Sequence, residues 1–177
     1  MENAVAALAI ALMCGVDPEE LKTALASYQG VKRRFDIQLN TEKYTLIDDY
    51  AHHPEELKAT ITSVRAMFRR TIVTGIFQPH LFTRTRDFAE GFAESLDLLD
   101  RIFLLDIYPA REEPIQGVSS DLIFRQIKNK NKKLCTKDDL PELAKDFEQG
   151  VVLMMGAGNI DTMVEKVKNV LSEKEHV

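Results

Sequence analysis

Cysteine is scarce: Cys14 and Cys135 are the only two in 177 residues. One sits in an apolar helical run and the other in a short strand-like run, so neither a disulfide framework nor a metal cluster is indicated, and a reducing cytoplasm is the expected compartment. A basic excess is also missing. The formal net charge of −5 removes the positive field that nucleic acid demands and argues against a polyanion partner. No apolar run reaches membrane length. The longest, Ala4 to Cys14, is about half of what crosses a bilayer and rich in alanine, which predicts a packed helix and no membrane span. It has no basic n-region of the kind that precedes a secretory signal core. Internal repeats and low-complexity segments are absent, and "KNKNKK" is a short solvated charge run.

What is present suffices for one domain and part of a second. The spacing predicts a helical hairpin first: Asn3 to about Cys14, stopped by Gly15, then a helix with Asp17 as N-cap and Pro18 at its first position, running to about Tyr28. The first helix begins without a leading cap, which predicts a piece cut from a longer chain. After Gly30 the texture changes. "RFDIQL" and "KYTLID" have the look of strands around a polar turn, and a domain boundary is expected near Tyr28 to Lys32. From Tyr44 onward strands alternate with helices. Strands are expected at Tyr44–Ile47, Thr71–Phe77, Ile102–Ile107, Lys133–Cys135 and Val151–Met155; helices near Glu55–Phe68, Arg86–Leu98, Ser120–Ile127, Leu140–Phe147 and Asp161–Leu171. That alternation implies an α/β fold: a mostly parallel, Rossmann-like sheet with helices on both faces, and "RFDIQL" as an antiparallel strand at or near one edge.

In such a sheet every strand-following loop leaves from one edge, where ligands bind. The helix-following loops ("RR", "LDR", "NKNK", "EQG") are short and charged. The strand-following loops ("DDYAHHP", "QPHLFTRTRD", "YPAREEPIQGVSS", "GAGNID") hold His52, His53 and His80, most loop arginines and the exposed aromatics. Stability alone does not require this asymmetry.

Within "DDYAHHPEE", Pro54 suits the first helical position, and Glu55 and Glu56 suit the positive end of the helix dipole. Asp48, Asp49, Tyr50, His52 and His53 remain; carboxylates can hold a sugar hydroxyl or a cation, and imidazoles can bind an anion or move a proton near neutral pH. One of the two histidines is expected to cap or pack, and adjacent side chains point different ways, so they do not make a metal pair. In "FQPHLFTRTRD", His80, Arg84 and Arg86 bring cationic groups to the mouth of a helix, which suits a carboxylate or phosphate; Arg86 could equally pair with Asp87. The loop "YPAREEPIQGVSS" is long enough for a rim or lid. In "GAGNID" the glycines suit a tight turn and Asp161 a helix N-cap. Lys32, Arg33 and Arg34 lie beside the inferred boundary, either a solvated basic turn or a hinge that carries charge toward a bound phosphate.

Taken in order, "ENAVAALAIA", "GVKRRFD", "DDYAHHPEE", "FQPHLFTRT", "DIYPAREEPI" and "GAGNI" resemble the carboxyl-terminal part of the Mur ligase family, over essentially the whole chain. The resemblance implies residues 1–30 as the end of a central ATP-binding domain and residues 31–177 as the Rossmann-like third domain. It implies an ATP-dependent ligase of peptidoglycan precursor synthesis. By that resemblance MgATP would convert the carboxylate of UDP-N-acetylmuramate to an acyl phosphate with release of ADP, and the amine of L-alanine would displace phosphate from it to give the amide. The amino-terminal and most of the central domain would be partners supplied by other sequence, because the chain has no G-x-x-x-x-G-K-[ST] phosphate loop. The chain by itself is therefore expected to be inactive and to hold neither ATP nor Mg2+ tightly. By the same resemblance Asn3, Arg33, Arg34 and Asp49 approach the nucleotide, and Tyr50, His52, His80 and Arg84 form the wall that receives the amino acid and the sugar-linked carboxylate, with His52, His80 and Arg84 in the catalytic role. Two positions depart from the family pattern: Leu81 and Phe82 stand where arginine and tyrosine are common, and Asn159 where an aspartate is usual. Alternatives are a ligase that attaches a preformed tripeptide to the same sugar nucleotide, and a nucleotide-binding module without catalysis.

Overall fold

The computed structural model describes residues 2–28 and 30–175, except for the side chains of Glu2 and Asn3. The chain divides into two compact units, Met1–Gly30 and Val31–Val177. The first is a hairpin of α1 (Glu2–Met13) and α2 (Pro18–Ser27). Asp17 caps α2 as its position before Pro18 predicts, accepting from the Glu19 N–H at 2.8 Å. Neither helix buries a large apolar side chain; Val5, Ile10, Leu12 and Met13 are exposed.

The second unit is built on a six-stranded sheet in the order β1-β2-β6-β3-β4-β5. Its strands are β1 (Asp36–Asn40), β2 (Tyr44–Asp49), β3 (Val73–Phe77), β4 (Arg101–Leu104), β5 (Lys132–Leu134) and β6 (Gly150–Met155). All neighbours are parallel except β1, which pairs antiparallel with β2 at the edge. Two apolar layers follow from alternation along the central strand. Val151, Leu153 and Met155 of β6 face the helices α3 (Pro54–Met67), α4 (Phe82–Leu96) and α5 (Asp121–Phe124). Val152 and Met154 face α6 (Leu140–Ala144) and α7 (Val164–Glu175). A strand buried on both faces must be apolar at every position, and β6 is.

Several elements differ from the sequence expectation. Strand β4 ends at Leu104, before Ile107, because the chain there leaves the sheet. Helix α4 starts at Phe82, four residues earlier than its polar pattern suggests. The last helix is preceded by a 3-10 turn, Asn159–Met163, so Asp161 is not its N-cap; its carboxylate lies 3.4 Å from the Arg33 guanidinium instead.

The order of strands positions the site. Because β6 lies between β2 and β3, the loops after β2 and β3 emerge two strand spacings apart, roughly 10 Å. Two facing ring side chains span that gap.

Candidate functional site

Four rings from three loops form a continuous row. Tyr50 and His52 follow β2, His80 follows β3, and Tyr108 follows β4. Successive centroids are 5.2 Å (Tyr50 to His52), 6.1 Å (His52 to His80) and 5.8 Å (His80 to Tyr108) apart, the first two edge-on and the last stacked. Arg84, one helical turn beyond His80, places Nη1 3.4 Å from its Nδ1. Thus His52 from one phrase of the sequence and His80 and Arg84 from another stand together on one rim with Tyr50.

The hydrogen bonds assign the ring protons. A guanidinium only donates, so Nδ1 of His80 accepts from Arg84 and the ring proton is on Nε2. In His52, Nδ1 lies 2.9 Å from the Tyr50 carbonyl and 3.2 Å from the Glu56 carboxylate, both acceptors, so Nδ1 carries the proton and Nε2 of the neutral ring is an acceptor. The two imidazoles therefore offer opposite functions, a donor from His80 and an acceptor from His52. Burial pushes the His80 pKa below 6.5, and the Arg84 charge and His52 lower it further, against a smaller opposing pull from Glu112. The shift favours the neutral ring.

His53 takes the structural role. It is the N-cap of α3, its N–H donates to Glu56 at 3.1 Å, and its ring packs on Phe88 at 4.8 Å. Arg86 is half-exposed and pairs with its neighbour Asp87 at 2.7 Å.

The cations beside the unit boundary divide similarly. Arg33 is turned inward: Nη2 donates to the carbonyls of Gly156 (2.7 Å) and Gly158 (3.2 Å), the guanidinium reaches Asp48 and Asp161, and it lies 5.0 Å from the centre of the Tyr50 ring. Arg34 is exposed, 5.9 Å from the same ring. Asp49 accepts from the N–H groups of Phe35 (2.7 Å) and Ala51 (2.8 Å) and from the Thr60 hydroxyl (3.3 Å), so it fixes the turn in which the arginines sit. The side chain of Asn3 lies outside the described residues.

Sequence reasoning missed Tyr108, Gln78 and Glu112. Tyr108 is bonded through its backbone to both sides of His80, donating to Pro79 at 2.8 Å and accepting from Leu81 at 3.0 Å. Gln78 bridges to the β6 loop, with Nε2 donating to Asn159 and Oε1 accepting from Ile160, each at 3.0 Å. The amide oxygen of Asn159 accepts this bond as a carboxylate would, which accounts for asparagine at that position. The length of the loop after β4 was the one available signal for Tyr108 and Glu112. It is a pinned rim, tied also by the Ser120 hydroxyl to the Leu105 carbonyl. Among the described residues no group of three or more His, Cys, Asp or Glu could hold a metal, and no helix is long and apolar enough to cross a membrane.

Beneath the rim lies an uncomfortable carboxylate. Asp48 is 3% exposed, its Oδ2 is 3.8 Å from Arg33 Nε, and its Oδ1 has no hydrogen-bond partner. Burial lifts its pKa from 3.8 to about 6; Arg33 opposes this, while Asp161, Asp36 and Asp49 add to it. The folded state therefore binds this proton more tightly than the unfolded chain. The associated stabilisation, up to about 3 kcal/mol, is complete below pH 3.8 and lost as pH rises through 6. Urea unfolding of wild type and Asp48→Asn between pH 4 and 7 is expected to give a difference that grows against the wild type with rising pH. Parallel profiles would contradict the assignment.

The comparisons with known proteins agree with one another. Residues 33–158 match the Mur ligase family, glutamate ligase domain. The chain is 56% identical over 174 residues to UDP-N-acetylmuramate–L-alanine ligase of Parabacteroides distasonis, covering 98% of this chain and 38% of that protein. It is 54% identical over 172 residues to the Porphyromonas gingivalis ligase of the same name, covering 97% and 38%. Among solved structures it is similar to the UDP-N-acetylmuramate-alanine ligase of Thermotoga maritima, with a TM-score of 0.75 at 28% identity over 98% of this chain and 37% of that one. A murein peptide ligase from Psychrobacter arcticus shares the fold at a TM-score of 0.66 and 20% identity, covering 96% of this chain and 36% of that one. The chain thus spans less than two fifths of the length of these relatives.

Proposed function

This chain belongs to the Mur ligase family, glutamate ligase domain, and from that premise we propose that it is the amino-acid-receiving part of a UDP-N-acetylmuramate–L-alanine ligase, working in the cytoplasm on peptidoglycan precursors. The observation that carries the reading is the juxtaposition of an imidazole acceptor, His52, with an imidazole donor, His80, and a guanidinium, Arg84, on one rim.

The reaction needs an amine that has lost its proton and sits beside an activated carboxyl group, shielded from water. ATP supplies the phosphoryl group that activates the sugar-linked carboxylate. Of this chain's residues, Arg84 and the Nε2–H of His80 hold the amino acid's carboxylate, and Nε2 of His52 accepts the proton that the alanine ammonium gives up before attack. Tyr50 and Tyr108 flank the imidazoles and keep them edge-on or stacked. With leucine at position 81, Arg84 supplies the guanidinium; Arg86 is engaged by Asp87.

On the nucleotide side, the exposed Arg34 reaches toward phosphate, and Asp49 keeps a lone pair on Oδ2 for a ribose hydroxyl. Arg33 acts as the brace beneath them, since its charge is met by two carbonyls and two carboxylates. Asn3 is assigned to the nucleotide by family resemblance alone. The phosphates and Mg2+ are held chiefly by sequence this chain does not contain.

A chimera tests the reading: this chain replaces the corresponding segment of the Parabacteroides distasonis ligase, and ATP-dependent amide formation is measured with L-alanine, glycine, L-serine and the preformed tripeptide. L-alanine is expected to give the highest kcat/KM. Preference for the tripeptide would reject the assignment in favour of peptide recycling, and binding without turnover would favour a non-catalytic module.

A further inference from the structure

Helix α4 carries Arg84 yet opens without a cap of its own. Leu81 precedes it at φ 75°, a left-handed conformation unusual for a branched side chain, and leucine has no acceptor to offer the first-turn N–H groups. The acceptor comes from 29 residues downstream: Glu112, on the loop after β4, accepts from the Thr83 N–H at 2.9 Å and from the Thr83 hydroxyl. These bonds hold the Glu112 carboxyl below its usual range, with smaller contributions from the Phe82 backbone and the Arg84 charge.

The same loop holds the other end of the segment through the backbone bonds between Tyr108 and its neighbours Pro79 and Leu81. His80 and Arg84 therefore stand on a short stretch clamped at both ends by one loop. Tyr108 supplies the first clamp and the ring on which His80 stacks. Glu112 supplies the second. Nothing in the proposed reaction uses this carboxylate directly.

We infer that Glu112 is a positioning residue: from the loop after β4 it latches the first turn of α4 and so sets the mutual placement of His80, Arg84 and Tyr108 for an incoming carboxylate. The latch also places one negative charge beside the cationic side of the rim. The charged and titratable groups facing His80 are Arg84, His52 and Glu112, and those facing Glu112 include Arg84 and Arg86. The inference rests on the reading of His80 and Arg84 as an anion-receiving pair, but its test needs neither substrate nor turnover, so the two can fail separately.

The test is NMR on the 177-residue chain, comparing wild type, Glu112→Gln, Glu112→Ala and the neighbouring control Glu113→Ala. Amide exchange and the titration of the His80 ring are followed together. In Glu112→Ala, exchange at Leu81, Thr83 and Tyr108 is expected to rise about tenfold or more, while the β6 amides stay at wild-type rates, as local opening requires. Glutamine can still accept from the Thr83 N–H and donate to its hydroxyl. Glu112→Gln is therefore expected to restore slow exchange and yet to lower the His80 midpoint, because a negative neighbour is gone. Exchange in Glu112→Ala no faster than in the Glu113→Ala control would overturn the inference. So would acceleration spread equally over β6, which would make Glu112 a general stabiliser, and so would a His80 midpoint identical in all four proteins.

Discussion

His80→Ala and Arg84→Ala, introduced separately into the chimeric ligase, are each expected to lower kcat/KM for amide formation by about 10²–10³-fold, the loss typical of a donor aimed at a charged group in a water-poor site. The physical reason is that each removes one of two groups holding the same carboxylate, and the survivor cannot fix its orientation alone. Arg84→Lys is expected to recover only part of the loss, because an ammonium keeps the charge but not the planar fork. Both side chains are only partly buried and lie outside the two apolar layers, so unfolding midpoints should stay close to wild type. Unchanged kinetics in either variant would remove that residue from the site.

The second large effect is expected at Gly158, which makes no contact with substrate in this account. A Cβ there would lie 2.5 Å from Oε1 of Gln78 and 2.7 Å from both Cβ and Cγ of Tyr108. The amide end of Gln78 could swing aside, but Tyr108 cannot rotate its own Cβ away, and its backbone is bonded to Pro79 and Leu81. Gly158→Ala must therefore push the β4 loop off the β3 loop and take the His80 stack with it. A destabilisation of about 1–3 kcal/mol is expected from the overpacking, together with a fall of about 10²-fold in kcat/KM from the misplaced imidazole. Unfolding and steady-state kinetics of the same preparation check both, and a stable, fully active variant would show that the rim tolerates movement.

Much of this was legible in the amino acids because period and loop chemistry are local properties. The apolar run Val151–Met155 could only be a strand covered on both faces, and the contrast between "DDYAHHP" or "FQPHLFTRT" and the bland loops on the opposite edge marked the rim. Even the division of labour between the two histidines was within reach: with Pro54 at the first helical position, His53 has to be the N-cap, which leaves His52 for the site. What could not be read were the non-local pairings. The start of α4 was misplaced because its cap, Glu112, comes from a distant loop. Asp161 looked like an N-cap, but tertiary structure brings Arg33 within reach of it. Arg33 and Arg34 are indistinguishable as letters; a left-handed turn at Arg33, φ 61°, sends one inward and leaves the other exposed. Tyr108 had no signal beyond the length of its loop, since its stacking partner precedes it by a whole helix and strand.

A double-mutant cycle between His52→Ala and Arg84→Ala in the chimera bears most directly on the claim that loops far apart in sequence make one anion-gripping site. If the two side chains work on the same substrate, their effects on kcat/KM should couple by about 1 kcal/mol or more. Additivity within about 0.5 kcal/mol would mean that they act independently, and the single site would be contradicted.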